Sequence, residues 1–343
     1  MKQLWLHSVK LYISIGLFFY FRRIKTFGLE RIPIDQPLLV LSNHQNALLD
    51  AVLIASKMNQ FAYFLTRAGV FQKKWVSPIL KSLNMLPVYR IRDGWSKLTN
   101  NNPVFEKCTE LLNENETVVI FPEGSHNLAR RVRPLSKGFT RIVFDTMNTY
   151  PNINLHLLPV GLNFENATQF AHSTAIYIGT PIMAKDYTEN HAKDQVLRLR
   201  QDVQTALTTL TAHIPEEKYD KTLNQLDKLN VDYLNPKAVN ECINNDFINC
   251  KSRGEHSFTK TRKLLQAILK INIFLPYLLW KIFIQPKIKE LEFTSTFRFA
   301  VAITLVPIFL IVMSFIIAAY LGLTIALMYF LSILLLALVS VKL

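Results

Sequence analysis

Two residues in this chain have the types and spacing for proton-transfer chemistry. His44 and Asp50 stand in the stretch Leu38-Leu39-Val40-Leu41-Ser42-Asn43-His44-Gln45-Asn46-Ala47-Leu48-Leu49-Asp50. An imidazole beside a carboxylate is the minimal equipment for general-base catalysis. The carboxylate fixes one tautomer and stabilises the imidazolium, while the other ring nitrogen takes a proton from a hydroxyl. For the pair to meet, the chain must turn between them. Leu38–Ser42 reads as a buried strand, being short, apolar and preceded by Pro37. Ala47–Lys57 reads as a helix, with Asn46 or Ser42 as its cap. His44 then falls at the carboxyl end of a strand, where open α/β sheets keep their sites. The competing reading is a surface histidine beside a helix that happens to carry an aspartate.

Three further patches have chemical potential. In Leu86-Pro87-Val88-Tyr89-Arg90-Ile91-Arg92-Asp93-Gly94, Arg90 and Arg92 alternate as on a strand. A guanidinium there can hold a phosphate bidentately, although exposed arginines on a strand edge need no ligand. In Val118-Val119-Ile120-Phe121-Pro122-Glu123-Gly124-Ser125-His126 a buried strand ends in a Pro-Glu-Gly turn that thrusts Glu123 outward. Arg130, Arg131, Arg133 and Lys137 follow it, and alone would be a solvated basic loop. In Leu157-Leu158-Pro159-Val160-Gly161 the proline suits an edge strand or a bulge.

The elements that must position these patches alternate. Residues 61–66, 117–121, 155–162 and 174–179 read as strands, with helices over Ala47–Lys57 and 103–113 between them. That order implies an α/β sheet with helical cover, here spanning residues 27–187. Residues 188–262 are more polar and read as a helical segment packed on the sheet domain as a lid or a spacer. Val196, Leu199, Val203, Leu207 and Leu210 make one helical face, Leu223, Leu226 and Leu229 a shorter one, and residues 235–260 have no period and read as loop.

Both ends of the chain point to a membrane. Residues 11–21 are apolar and aromatic and are closed by Arg22-Arg23-Ile24-Lys25, so residues 1–26 read as an interfacial helix, too short to span. Residues 263–343 form a hydrophobic region. In it, residues 263–285 are broken by Lys270, Pro276 and Lys281 and suit an interfacial or re-entrant helix. Residues 299–320 and 323–341 carry no charge and are long enough to cross as a hairpin. Lys287, Lys289 and Arg298 precede the hairpin and Lys342 follows it, which places both ends in the cytoplasm.

The 343 residues carry a net charge of +14, which suits an anionic membrane surface or phosphorylated substrates. No nucleic-acid motif is present. Cys108, Cys242 and Cys250 form no Cys-x-x-Cys pair, and their odd number is expected to stay reduced. The chain has no Gly-x-Ser-x-Gly elbow for a serine hydrolase. It also lacks His-Glu-x-x-His, and His126, His156 and His172 lack zinc-ligand spacing, so no metal site is expected.

The set and order of these motifs resemble the glycerophosphate (phospholipid/glycerol) acyltransferase superfamily, which includes the lysophosphatidic acid acyltransferases. The likeness covers residues 27–182 and rests on Asn43-His44 with Asp50, followed by Phe121-Pro122-Glu123-Gly124-Ser125. Two departures stand out. The commoner family pattern has one residue fewer between histidine and aspartate, and Ser125-His126 stands where Thr-Arg is frequent. The resemblance implies a mixed sheet covered by helices, with the membrane hairpin appended. It implies that His44 is the general base, Asp50 its orienting partner and Asn43 a support for the loop. It implies an acceptor site made by Arg90, Arg92, Phe121, Pro122, Glu123, Gly124 and Ser125, with Pro159 near the acyl-donor side. It further implies transfer of a fatty acyl group from acyl-CoA or acyl carrier protein to glycerol 3-phosphate or a lysophospholipid. No cofactor or metal is needed, and the enzyme is integral to a phospholipid membrane. A non-catalytic lipid-binding protein of the same fold is the alternative, against which the presence of both His44 and Asp50 counts.

Overall fold

The computed structural model describes residues 1–90, 94–187, 192–254 and 259–343. Its strands are β1 (Ile24–Phe27), β2 (Leu38–Ser42), β3 (Ala62–Arg67), β4 (Met85–Val88), β5 (Thr117–Ile120), β6 (His156–Phe164), β7 (Thr174–Ile178) and β8 (Ile182–Met183). They form one sheet in the order β1-β7-β6-β2-β5-β3-β4, with β8 beside β6. Neighbours are parallel except where β6 meets β7 and β8. The expected mixed α/β sheet is therefore present. β2 lies near its middle, which explains its unbroken apolar run: both faces of a central parallel strand are covered.

The two faces of β2 lead to two cores. Leu39 and Leu41 pack beneath α4 (Asn102–Asn113), α5 (Gly138–Thr149) and α6 (Ala192–Leu210). Leu38 and Val40 pack beneath α1 (Lys2–Tyr20), α2 (Ala47–Lys57) and α11 (Phe293–Ile303). The remaining helices are α3 (Val76–Ser82), α7 (Tyr219–Lys228), α8 (Pro236–Asn244), α9 (Thr259–Asn272), α10 (Phe274–Leu278), α12 (Leu305–Leu321) and α13 (Leu323–Lys342). Leu199, Val203 and Leu207 of α6 belong to the first core, so the polar segment is not a separate layer. α7 and α8 close a small core of their own around Ile214, Leu226 and Val239.

Three expectations are corrected. Residues 235–260 are not all loop, because α8 occupies Pro236–Asn244. Asn235 Oδ1 accepts from the Ala238 amide, Pro236 opens the helix, and Val239 and Cys242 share its buried face. Cys242 and Cys250 are joined by a disulfide rather than free. The chain folds back after α8, with the Phe247 amide on the Cys242 carbonyl, and this returns the second cysteine to the first. Pro159 lies inside a central strand, not at an edge. It falls between the β8 pairing at His156–Leu157 and the β7 pairing that begins at Val160, so its missing N–H breaks no ladder there.

The C-terminal region holds two apolar stretches of spanning length, Phe293–Leu321 and Leu323–Lys342. Gly322, at φ +93°, is the only residue between α12 and α13, a backbone conformation that favours glycine. Lys260–Asn272 and Phe274–Lys287 make a pair bent by 101°, the geometry of a broken or re-entrant segment. The first apolar stretch begins earlier than expected. Its opening helix, α11, is docked on the sheet domain, with Phe299 buried in the second core.

Candidate active site

β2 delivers His44 two residues past its last paired position, and α2 delivers Asp50 one turn in. His44 Nδ1 lies 2.8 Å from Asp50 Oδ2, and the aspartate is fully buried. The same oxygen accepts the Asn46 backbone N–H at 2.7 Å. The helix is therefore closed by Asp50, not by a side-chain cap from Asn46 or Ser42 as expected. Asp50 accepts from both the turn and the ring, so the longer spacing between histidine and aspartate still closes the pair. Ala47, the first residue of α2, holds φ +43°, a strained conformation for a residue with a Cβ, and that kink lets the chain turn within the interval.

The ring of His44 is held flat on Phe121, with centroids 4.1 Å apart and planes 16° from parallel. Nε2 makes no hydrogen bond to any described residue. Asn43 is buried, donating to the Leu162 carbonyl at 3.0 Å and accepting the Leu162 amide at 2.7 Å. It ties the elbow to β6.

The turn after β5 differs from its expected form. Gly124 takes φ +70° and its amide returns to Phe121, so the turn is as the sequence required. Glu123, however, points inward. Its Oε2 meets Arg133 Nε at 2.6 Å with 2% of the side chain exposed. Arg133 also donates to the Ser125 hydroxyl at 2.7 Å and to the Ser125 carbonyl. The His44 backbone N–H also pulls the Glu123 carboxyl downward. Burial pushes Glu123 up to about 7, against the downward pull of Arg133. Glu123 and Arg133 thus hold the turn to the basic loop, while the Asn127 amide ties it to the His44 loop by donating to the His44 carbonyl at 3.0 Å. Arg130 donates to the Phe164 and Glu165 carbonyls and lies over the Tyr233 ring, and Arg131 pairs with Glu216.

His126 is the neighbour whose role the motif comparison passed over. Its ring meets His44 edge-on at 5.6 Å. Its own value is lowered by burial first, then by His44 and Arg90 among its neighbours. Arg90 is therefore close enough to act on His126, whereas Arg92 lies outside the described residues. Pro159 pairs with Leu41 within the sheet, one position before the strand's last pair, and does not line the open end. Glu290 and Phe293 come from the other end of the chain. His126 Nε2 is 3.5 Å from Glu290, and its ring is 4.7 Å from Phe293. With Glu292, these side chains bring ligand-type atoms within 4.8 Å of one another, a group that a divalent cation can use. The only signal for Glu290 in the sequence is an acidic pair inside the basic approach to an apolar stretch.

The arrangement is a buried carboxylate, an imidazole with one open nitrogen, and a cationic flank at the carboxyl end of a central strand. Parts of the chain are similar to known proteins. The family model described as Acyltransferase matches residues 23–163. The chloroplastic 1-acyl-sn-glycerol-3-phosphate acyltransferase BAT2 of Brassica napus is 30% identical over 139 residues, 40% of this chain and 38% of its own length. Glycerol-3-phosphate O-acyltransferase 1 of Saccharomyces cerevisiae is 25% identical over 114 residues, 32% of this chain and 15% of its own. The crystal structure of the 1-acyl-sn-glycerophosphate acyltransferase PlsC from Thermotoga maritima aligns with a TM-score of 0.44 at 18% identity. That alignment covers 66% of this chain and 81% of the other. The chain spans well under half the length of these two curated relatives, and the family model's match ends at residue 163. Over residues 23–163 the chain is thus similar to the acyltransferase family.

Proposed function

We propose that the protein is a membrane-bound O-acyltransferase that moves a fatty acyl group from an acyl thioester to a hydroxyl of glycerol 3-phosphate or a lysophospholipid. The observation that carries this reading is the 2.8 Å contact between His44 Nδ1 and buried Asp50, which leaves Nε2 open. Asp50 holds the tautomer with the proton on Nδ1. Nε2 takes the proton of the acceptor hydroxyl as its oxygen attacks the thioester carbon. The tetrahedral oxyanion collapses, the C–S bond breaks, and the imidazolium returns its proton to the departing sulfur, which leaves as the free thiol. No covalent enzyme intermediate forms. Arg90, close enough to act on His126, supplies the positive charge expected beside an acceptor phosphate.

The two apolar helices support integral insertion, and the basic residues around them favour a cytoplasmic catalytic domain. The Cys242–Cys250 disulfide points the other way, because such bonds are rare in a reducing compartment. Thiol labelling in intact cells, before and after reduction, decides between the two faces.

The activity is tested with purified protein in detergent, offering acyl-CoA and acyl carrier protein as donors. Each is set against glycerol 3-phosphate, lysophosphatidic acid and other lyso-lipids. Ester formation with at least one pair is expected. Thioester hydrolysis unaffected by any acceptor would contradict the reading.

A further inference from the structure

The long apolar stretch Phe293–Leu321 has 29 residues, whereas roughly 20 are enough to cross a bilayer. The surplus is accounted for by α11, whose first turns are fixed to the catalytic domain. Ser295 Oγ donates to the Ala167 carbonyl at 2.7 Å, and Asn46, in the catalytic elbow, donates to the same oxygen at 2.8 Å. Arg298 donates to the Thr168 carbonyl at 2.8 Å, and Phe299 packs edge-on against Tyr20. The helix that enters the membrane thus begins as a wall of the active site.

One face of that wall carries a ladder of rings. It runs from His44 to His126 at 5.6 Å, from His126 to Phe293 at 4.7 Å, and from Phe293 to Phe297 at 6.1 Å. Phe293 is half-buried, while Phe297, one turn nearer the membrane, is 45% exposed. At the top of the ladder the surroundings are polar, with Glu290 on His126 and Arg90 nearby. Below it the surface is apolar and continues into α12. A molecule with a polar head at His126 and one hydrocarbon chain has a place for each part. A water-soluble acceptor has no use for the lower half.

We propose that Phe293 and Phe297 form a binding surface for the hydrocarbon chain of a single-chain lipid acceptor, guiding it from the bilayer to His44. The proposal rests on the acyl-transfer reading and narrows it, because it selects a lyso-lipid over glycerol 3-phosphate. The acceptor arrives along α11 from the membrane, and its hydroxyl reaches Nε2 at the top of the ladder.

The test has two arms on full-length protein in nanodiscs. In the first, kinetics are measured for wild type, Phe297→Ala and a control, Phe283→Ala, a 57% exposed residue whose ring joins none of the ring pairs of the ladder. Long-chain and short-chain lysophosphatidic acid are the acceptors. Phe297→Ala is expected to raise KM for the long-chain acceptor about 10- to 100-fold, the value of burying one aromatic side chain. KM for the short-chain acceptor and the dependence on donor chain length are expected to stay within about twofold, well below that tenfold floor. The control is expected to match wild type. An equal shift for both acceptors, or a shift that follows the donor chain instead, overturns the proposal.

The second arm needs no turnover. Lysophosphatidic acid with a photoreactive chain is expected to label residues 290–298, with competition by unlabelled long-chain lyso-lipid and not by glycerol 3-phosphate. Labelling without any transfer would sink the acyltransferase reading and leave the lipid surface standing. Transfer without labelling of α11 would do the reverse.

Discussion

At the scale of single residues, the site is a set of side chains each held by more than one partner. Glu123 shows what that costs. It sits in a buried turn with a value of about 7 against an ordinary 4.5, burial being the larger cause and Arg133 the opposing one. The folded chain therefore binds this proton more tightly than the unfolded one. The stability it contributes is complete below about 4.5 and is lost as pH rises through about 7. Over that window the change is on the order of 3 kcal/mol. Glu123→Gln cannot titrate, so the thermal midpoint in detergent, read from pH 4.5 to 8, should have a flatter slope than wild type. An unchanged slope means the turn is not set by that carboxyl. Arg90 carries a second expectation. Lysine lacks the planar fork that grips two phosphate oxygens, so Arg90→Lys should raise the acceptor KM about 10- to 150-fold and leave the donor KM alone. Equal damage to both constants with a lowered melting midpoint would make Arg90 part of the scaffold.

At the scale of elements, much was legible because periodicity and turn chemistry are local. β2, α2, β5 and β7 appear where short apolar runs and punctuating residues put them, and the His44 elbow follows from the strand-to-helix change. What was hidden depends on contacts between distant segments. The outward thrust expected of Glu123 fails because Arg133, reached only after a loop, draws it in. α8 was hidden by its polar composition, although Asn235 and Pro236 were a valid start signal. Pro159 misled because the rule for proline assumes continuous pairing, and β6 changes partners at that residue. The docking of α11 had no local sign at all, since its apolar residues read as the start of a span. It can be measured. Arg298→Ala removes a charged hydrogen bond to Thr168 worth about 1.5–3 kcal/mol. Amide exchange across residues 166–170 should then quicken, because that loop shares Ala167 with both α11 and the catalytic elbow. Unchanged exchange would show that α11 lies against the domain without restraining it.

At the scale of the whole molecule, the sheet domain and the membrane region meet through α11 and α1. α1 buries Leu17 and Tyr20 against the domain and leaves Leu4, Leu11, Ile15 and Phe18 exposed, the pattern of a helix lying on a membrane surface. Removing everything after residue 285 would strip α11 from the second core as well as the anchor. Ending the chain after Ile303 is the sharper cut, because it keeps α11 and deletes α12 and α13. That protein should leave the carbonate pellet, since α1, the bent pair and the basic surface hold it only at the interface. Retention in the pellet would mean that the bent pair Lys260–Asn272 and Phe274–Lys287 spans.

The proposed reaction depends on one proton transfer. Asp50 holds Nδ1 of His44, and Nε2 is left open. The direct measurement is the acyl-transfer rate of His44→Ala beside wild type, each with its melting curve. Loss of the general base should lower kcat/KM by about 10²- to 10⁴-fold. The melting midpoint should be little changed, because His44 is partly exposed and Asp50 keeps the Asn46 amide. A His44→Ala protein that transfers acyl groups at close to the wild-type rate would contradict the account.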